Sequence, residues 1–486
     1  MRRCSHAAVT PAPAGAATAP APSGGRYDAH VTDLGRRPLM LAGAASALGA
    51  CAAPRPHPAD PTAAALPPVA ALSPQAALDA LVQDPHAPWL GVSALAVRNG
   101  QVIWQGHAGR RRVDAADPRN PAAGRPVNAR TLYRMASVSK LVVAVAVLRL
   151  VEQGHLGLDE DVSRWLGWRL RHPEHPQQAV TLRLLMTHRA GLRDDAGYAF
   201  GADTALSDVL DSRADPSAWR PGQRPGASFA YCNLGWGVVA TVMEAATGER
   251  FDRLMQALVF TPLGMRGGFD PTTWPAADLD DLATLYRKRR TDAGRETWDP
   301  AGPWVEQADA PGIPGMPLPG VAAYRPGTNG TLFGPQGRLR TGVGDLGVLM
   351  NALLAGGRHV GAPFLGGQWV RELGREQWRA GTHGADQTLG GALLSWGLGA
   401  QRFTDTWVDG RGDRLVEGGG LVGWGHLGTA YGLLSAFVLD PVNGCGLVTV
   451  LNGPSRDPYA ERGRASSVTR AEERLLTAVW RQGLPA

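Results

Sequence analysis

Ser137 and Lys140 stand three residues apart at the head of an apolar, helix-length run that continues to Gln153. Lysine is scarce in this chain: of 49 basic residues in 486, only Lys140 and Lys288 are lysines. A lysine can release its proton when buried, whereas an arginine in practice cannot. A serine hydroxyl is a weak nucleophile that needs a base within hydrogen-bond reach. On a helix, residues i and i+3 share a face, so the two side chains can converge. The helix N-terminus adds backbone donors and a partial positive charge that suit a developing oxyanion. Packing against Leu141, Val142 and Val143 would lower the lysine pKa and make it a base or proton relay. The same spacing also suits a serine N-cap followed by a snorkelling lysine, so further residues must decide.

Two more groups supply them. Tyr231-Cys232-Asn233 follows the turn-rich stretch 220–226 and precedes an apolar helix from about Leu234. Alternation puts Tyr231 and Asn233 on one side and turns Cys232 into the body. A phenol beside a lysine cation has its anion stabilised and can serve as general base. Asn233 can accept from Lys140 while donating to a substrate carbonyl. Farther on, His426-Leu427-Gly428 opens a strand-like run through Leu439. Gly428 would let a substrate approach the strand edge, and the N–H groups of Thr429 and Ser137 could form an oxyanion hole.

The elements that must position these residues come from both ends of the chain. Trp89–Arg98, the turn Asn99-Gly100 and Gln101–Gly106 read as a hairpin. Gly428–Leu439, a turn at 440–444 and Cys445–Leu451 read as a second strand pair. Helical patterns fall at 75–83, 139–153, 181–187, 235–247, 251–259, 343–355 and 468–482. This distribution argues for one α/β body, its antiparallel sheet built from both ends and a mostly helical region inserted between them, with the cleft between lobes. Residues 266–335, rich in Pro, Gly and Trp, read as a partly ordered insertion that shapes a pocket.

Ser-x-x-Lys, then Tyr-x-Asn, then His-x-Gly, in this order, resembles the serine β-lactamase and penicillin-binding-protein superfamily. The Tyr-x-Asn form is similar to class C β-lactamases, DD-peptidases and related esterases. The flanking segments 180–192, 262–265 and 337–346 agree, and the resemblance covers roughly residues 75–483. It implies a β-lactamase-like fold and a serine hydrolase acting through an acyl-enzyme on an amide or ester, such as a D-alanyl peptide or small ester. Ser137, Lys140 and Tyr231 would be catalytic, and Asn233, His426, Gly428 and Thr429 would bind substrate; neither cofactor nor metal is implied. Where many β-lactamases carry Lys-Thr-Gly, this chain has His426-Leu427-Gly428. A largely neutral imidazole and a leucine grip a carboxylate less well. Peptide or ester substrates therefore rise above β-lactams. A catalytically inactive envelope-binding module with the same fold is the alternative from another class.

The 44% apolar composition and 15 tryptophans describe a globular protein. The net charge of +6 falls by half once residues 1–50 are set aside, so a nucleic-acid partner is not expected. The run Arg110–Arg112, followed by Asp114 and Asp117, reads as a solvated patch. Arg36-Arg37-Pro38-Leu39-Met40 resembles a twin-arginine export signal, and Leu48-Gly49-Ala50-Cys51 resembles a lipobox, which implies cleavage before Cys51 and lipidation of its thiol. An ordinary signal peptide with a nearby cleavage site is the alternative. The leader is long, and translation starting near Val31 would shorten it. The expected organisation is a signal region (1–50), a Pro/Ala-rich tether (51–73) and a hydrolase domain (74–486), exported to the periplasm or cell envelope as a lipoprotein and membrane-associated through Cys51. Cys232 and Cys445 could be bridged or two buried thiols. Two G-x-G-x-x-G matches at 418–428 open no helix and fit chance among 63 glycines. His172-Pro173-Glu174-His175 reads as a surface loop.

Overall fold

The computed structural model describes residues 72–484 apart from 212, 214, 293–294, 311–317, 319 and 382–385. The export signal, Cys51 and nearly all of the 51–73 tether lie outside the described residues. After helix α1 (Pro74–Val82), strands β1 (Trp89–Arg98) and β2 (Gln101–Arg112) join at Asn99-Gly100, both at positive φ (50° and 76°). Asparagine tolerates this left-handed region and glycine has no Cβ to oppose it, so the turn forms where the sequence places it.

These strands belong to a nine-stranded antiparallel sheet. In chain order its other members are β3 (Arg125–Pro126), β6 (Trp378–Arg379), β7 (Ser395–Trp396), β8 (Gln401–Phe403), β9 (Gly423–Ala430), β10 (Leu433–Asp440) and β11 (Cys445–Pro454). They lie side by side as β6-β7-β8-β9-β10-β11-β1-β2-β3. β11 pairs with β1, Ser93 opposite Val450, so the two ends of the domain meet within the sheet, as the sequence implies. A small separate sheet pairs β4 (Tyr133–Arg134) with β5 (Arg340–Thr341), Arg134 opposite Arg340.

Both faces of the large sheet are covered, which explains why β10 and β11 are apolar without a polar side. Alternation sends Ala94 and Ala96 to one face, beneath Leu78 of α1 and Leu475, Leu476 and Val479 of α6 (Arg470–Gly483). Leu95 and Val97 go to the other face, which carries α2 (Val138–Glu152), α3 (Leu182–Met186), α4 (Leu234–Thr247) and α5 (Val343–Leu354). Twelve of the fifteen residues of α2 are buried, so this helix is surrounded rather than amphipathic and forms the centre of that face.

Several expectations change. The run from Gly428 to Leu439 is not one strand: it leaves β9, reverses at Tyr431-Gly432 (φ 53° and 86°) and enters β10. The helix expected at 251–259 is interrupted, with α-helix at Phe251–Met255 and a wider π turn at Gln256–Phe260. Within 266–335 the described residues hold strands at 285–287, 289–292, 295–298 and 305–308 and a helix at 276–281, more order than the composition suggested. Arg110–Arg112 is not a solvated patch. Arg111 is buried and donates to the Pro126 carbonyl and to Asp280, and Arg112 donates to the Leu282 carbonyl. His172 is likewise buried, bonded through Nε2 to the Arg220 carbonyl and packed on Trp219. Cys232 and Cys445 are two separate buried thiols.

Candidate active site

The chain reaches Ser137 from β4 through Met135 and Ala136. Met135 N–H donates to the Leu339 carbonyl at 2.8 Å, which ties the approach to the segment before β5. Ala136, fully buried, holds a left-handed φ of 47°. That conformation costs a non-glycine residue about 1–3 kcal/mol, comparable with what burying one side chain of α2 contributes (about 1.5–3 kcal/mol). The surrounding packing can therefore impose it. Ser137 stands at the N-cap of α2, yet its hydroxyl makes no capping bond. It instead accepts from Tyr231 Oη at 2.9 Å and Lys140 Nζ at 3.0 Å. The cap-and-snorkel alternative is thereby excluded.

Lys140 is 0% exposed. Its amine also touches Asn233 Oδ1 at 2.8 Å and the Gln336 carbonyl at 2.9 Å. Burial, only partly opposed by Asp194, brings its pKa down from 10.5 to about 7. Both protonation states are then present at neutral pH. The Tyr231 phenol moves the other way: burial raises its pKa well above the ordinary value, so it is a donor at neutral pH and not the phenolate that a neighbouring cation suggested.

Tyr231 and Asn233 do share a side, with Cys232 buried between them. His426, on β9, is 2% exposed, and its ring lies edge-on to those of Trp396 and Tyr231. Its Nδ1 donates to the Leu427 carbonyl at 2.5 Å, and burial depresses its pKa to about 3, which fixes a neutral imidazole. β8 pairs only with residues 423–425 of β9, and past that point the strand runs beside the nucleophile. A Cβ on Gly428 would sit 2.7 Å from the Met135 carbonyl oxygen and 3.1 Å from Ser137 N. Glycine is required there so that strand and nucleophile can meet. The Thr429 hydroxyl accepts from Tyr459 Oη at 2.8 Å, so its backbone is what remains for the slot.

The structure thus gathers Ser137, Lys140, Tyr231, Asn233, His426 and Gly428 at one place, with Thr429 next along the strand. Sequence reasoning missed four supports. Asp194 accepts from Asn233 Nδ2 at 2.9 Å. His188 stacks on Tyr231 with centroids 4.4 Å apart, while its Nδ1 accepts from Cys232 N at 3.0 Å. The Gln336 carbonyl faces Lys140, and Ser435 Oγ donates to the Met135 carbonyl at 2.9 Å. His188 lay within the flanking segment 180–192; Asp194, Gln336 and Ser435 carry no local signal.

A serine whose hydroxyl meets a half-neutral amine and a phenol, beside a strand edge, is the arrangement of an acyl-transfer centre. The Beta-lactamase family model matches residues 77–469. Esterase EstB of Burkholderia gladioli is 37% identical over 189 residues, covering 36% of this chain and 46% of that protein. Penicillin-binding protein 4 of Amycolatopsis lactamdurans is 30% identical over 144 residues, covering 29% and 37%. Each match spans less than half of the relative's length. D-amino acid amidase from Ochrobactrum anthropi SV3, 20% identical, superposes with a TM-score of 0.57 over 84% of this chain and 97% of its own, a likeness of fold. With the family model spanning most of the chain and the three motifs assembled at one site, this protein belongs to the beta-lactamase family.

Proposed function

We propose that the protein is a serine hydrolase that cleaves an amide or ester through an acyl-enzyme. The observation that carries this is the set of contacts around Lys140 Nζ. Two of its three neighbours, Asn233 Oδ1 and the Gln336 carbonyl, can only accept. When the amine is neutral its two N–H bonds go to them, and the lone pair is left for the Ser137 hydroxyl. Lys140 then takes the serine proton as Oγ bonds to the substrate carbonyl carbon. The backbone N–H groups of Ser137 and Thr429 hold the oxyanion, each contributing roughly 3 kcal/mol. Tyr231 gives its phenolic proton to the departing amine or alcohol and recovers one from the Lys140 ammonium through the site's hydrogen bonds. Water next attacks the acyl-enzyme, passes a proton to the same base, and the acid leaves with Ser137 regenerated.

Asn233 and His426 orient the substrate. The neutral His426 puts no fixed cation where a β-lactam carboxylate would sit, and Leu427 turns to the opposite sheet face beside α1 and α6, which favours small esters and peptide amides. The test is a panel of p-nitrophenyl esters, D-alanyl peptides and nitrocefin with wild type and Ser137→Ala. Turnover of the first or second class, abolished in Ser137→Ala, is expected. No turnover of any class would favour the inactive binding module, and nitrocefin as the preferred substrate would favour the β-lactamase reading. From the sequence at 34–51 we further propose export and lipidation at Cys51; no helix among the described residues is long and apolar enough to cross a membrane.

A further inference from the structure

We propose that Asp194 is a positioning residue of this site: its carboxylate holds the Asn233 amide in the one orientation that leaves the Lys140 lone pair to Ser137. The inference rests on the reading of Lys140 as the base. The two ends of a side-chain amide differ, one donating and one accepting. Asn233 Nδ2 donates to Asp194 Oδ2 at 2.9 Å, and this pins Oδ1 against Lys140 Nζ at 2.8 Å. A flipped amide would set its oxygen against the carboxylate and its N–H donors against the amine, losing both bonds. Lys140 would then have one acceptor fewer, and its lone pair would have a competing donor.

Asp194 is itself held fast. Its Oδ1 accepts the backbone N–H of Asn233 at 2.8 Å and of Leu234 at 2.9 Å, and the Cys232 thiol at 3.3 Å. The two N–H groups open α4, where helix donors lack partners within the helix. The adjacent Asp195 pairs with Arg193 instead, so the sequence places two aspartates side by side and the fold turns only the first toward the site. The groups that face Lys140 come from six segments: Ser137 on α2, His188 after α3, Asp194, Tyr231 to Asn233 ahead of α4, the Gln336 carbonyl ahead of β5, and His426 on β9. Burial keeps His188 and His426 neutral, and keeps Tyr231 and Cys232 protonated. Asp194 is what remains to supply charge to the amine. Its negative charge raises the proton affinity of Lys140 against the larger effect of burial.

The test uses the pH dependence of Ser137 labelling by a fluorophosphonate, which needs no knowledge of the natural substrate. In wild type the labelling rate should rise with a midpoint near pH 7, where Lys140 becomes neutral. In Asp194→Asn the midpoint should move to the acid side by about one pH unit or more, because the charge that favours the ammonium is gone. The plateau should fall as well, because Asn233 is no longer pinned; Asp194→Glu, which keeps the charge, should keep the midpoint. A lowered plateau with an unmoved midpoint in Asp194→Asn would mean a purely structural role and would overturn the inference alone. A wild type not labelled at Ser137 would instead remove the reading of the site. Where Asp194→Asn does not fold, 15N-asparagine-labelled wild type decides, with Asn233 assigned through Asn233→Ser. A downfield, slowly exchanging side-chain proton that shifts as Lys140 titrates is expected, and a solvent-like amide would overturn the inference.

Discussion

Lys140 and Lys288 show that rarity drew attention to the right residue only in company. Lys288 is a half-buried cation that lies over the Trp304 ring and donates to the Pro300 carbonyl. Lys140 differs in having three oxygens around a fully buried amine. Lys140→Arg keeps the charge but cannot supply a lone pair, so kcat should fall by roughly 10²–10⁴, measured on whichever ester or peptide wild type turns over. The same burial links the residue to stability. Its folded pKa of about 7 lies below the unfolded value of 10.5, so between these limits the unfolded chain binds the extra proton. Stability from this group therefore rises with pH from about 7 to about 10.5 and is lost toward lower pH. The melting temperature of wild type relative to Lys140→Met should accordingly increase across that window; a constant difference would mean the amine is not desolvated. Ser137, Lys140, Tyr231, Asn233 and His426 were legible because each sits in a short motif. Asp194 and Gln336 were not, since they reach Asn233 and Lys140 across 39 and 196 residues and no local pattern records such a pairing.

At the scale of elements, two devices hold the nucleophile against its strand. The first is the close approach at Gly428. Gly428→Ala would press a methyl group on the Met135 carbonyl and on Ser137 N, both part of packed backbone that cannot yield as a flexible side chain would. Fluorophosphonate labelling should drop by at least about tenfold while circular dichroism stays near wild type, since the loss is one of alignment. The second is Asp309, which bonds to Arg134 on β4 and Arg340 on β5, the strands that lead into Ser137 and out of the Gln336 loop. All three side chains are buried, and the two guanidinium groups hold the Asp309 carboxyl far below the ordinary range. Asp309→Asn leaves two buried cations facing each other without the carboxylate. Breaking such an arrangement costs about 3–5 kcal/mol, a loss that urea unfolding should detect. Helix positions were readable to within one or two residues wherever apolar spacing persisted, as for α2, α4 and α5. The β9–β10 reversal was missed because its turn, Tyr431-Gly432, has an aromatic residue where Asn or Asp normally announces a hairpin.

For the whole molecule, the pairing of β1 with β11 makes the fold depend on contacts between the two ends of the domain. This was legible because both ends carried strand patterns and the middle carried helical ones. The order within 266–335 was not, because its short strands pair locally without an apolar period. The same topology bears on the proposed anchoring. The described chain enters at α1, packed against the same sheet face as α6, while the active-site helix α2 packs on the opposite face. Six prolines fall within residues 52–73, ahead of α1. On the proposed lipoprotein reading, lipidation of Cys51 supplies the anchor, and Cys51→Ser should move the protein from the membrane fraction to the soluble fraction. Fluorophosphonate labelling per molecule should be unchanged, because Cys51 is not among the residues gathered around Ser137. Equal partition of wild type and Cys51→Ser into the soluble fraction would leave the ordinary signal peptide as the reading of residues 34–51.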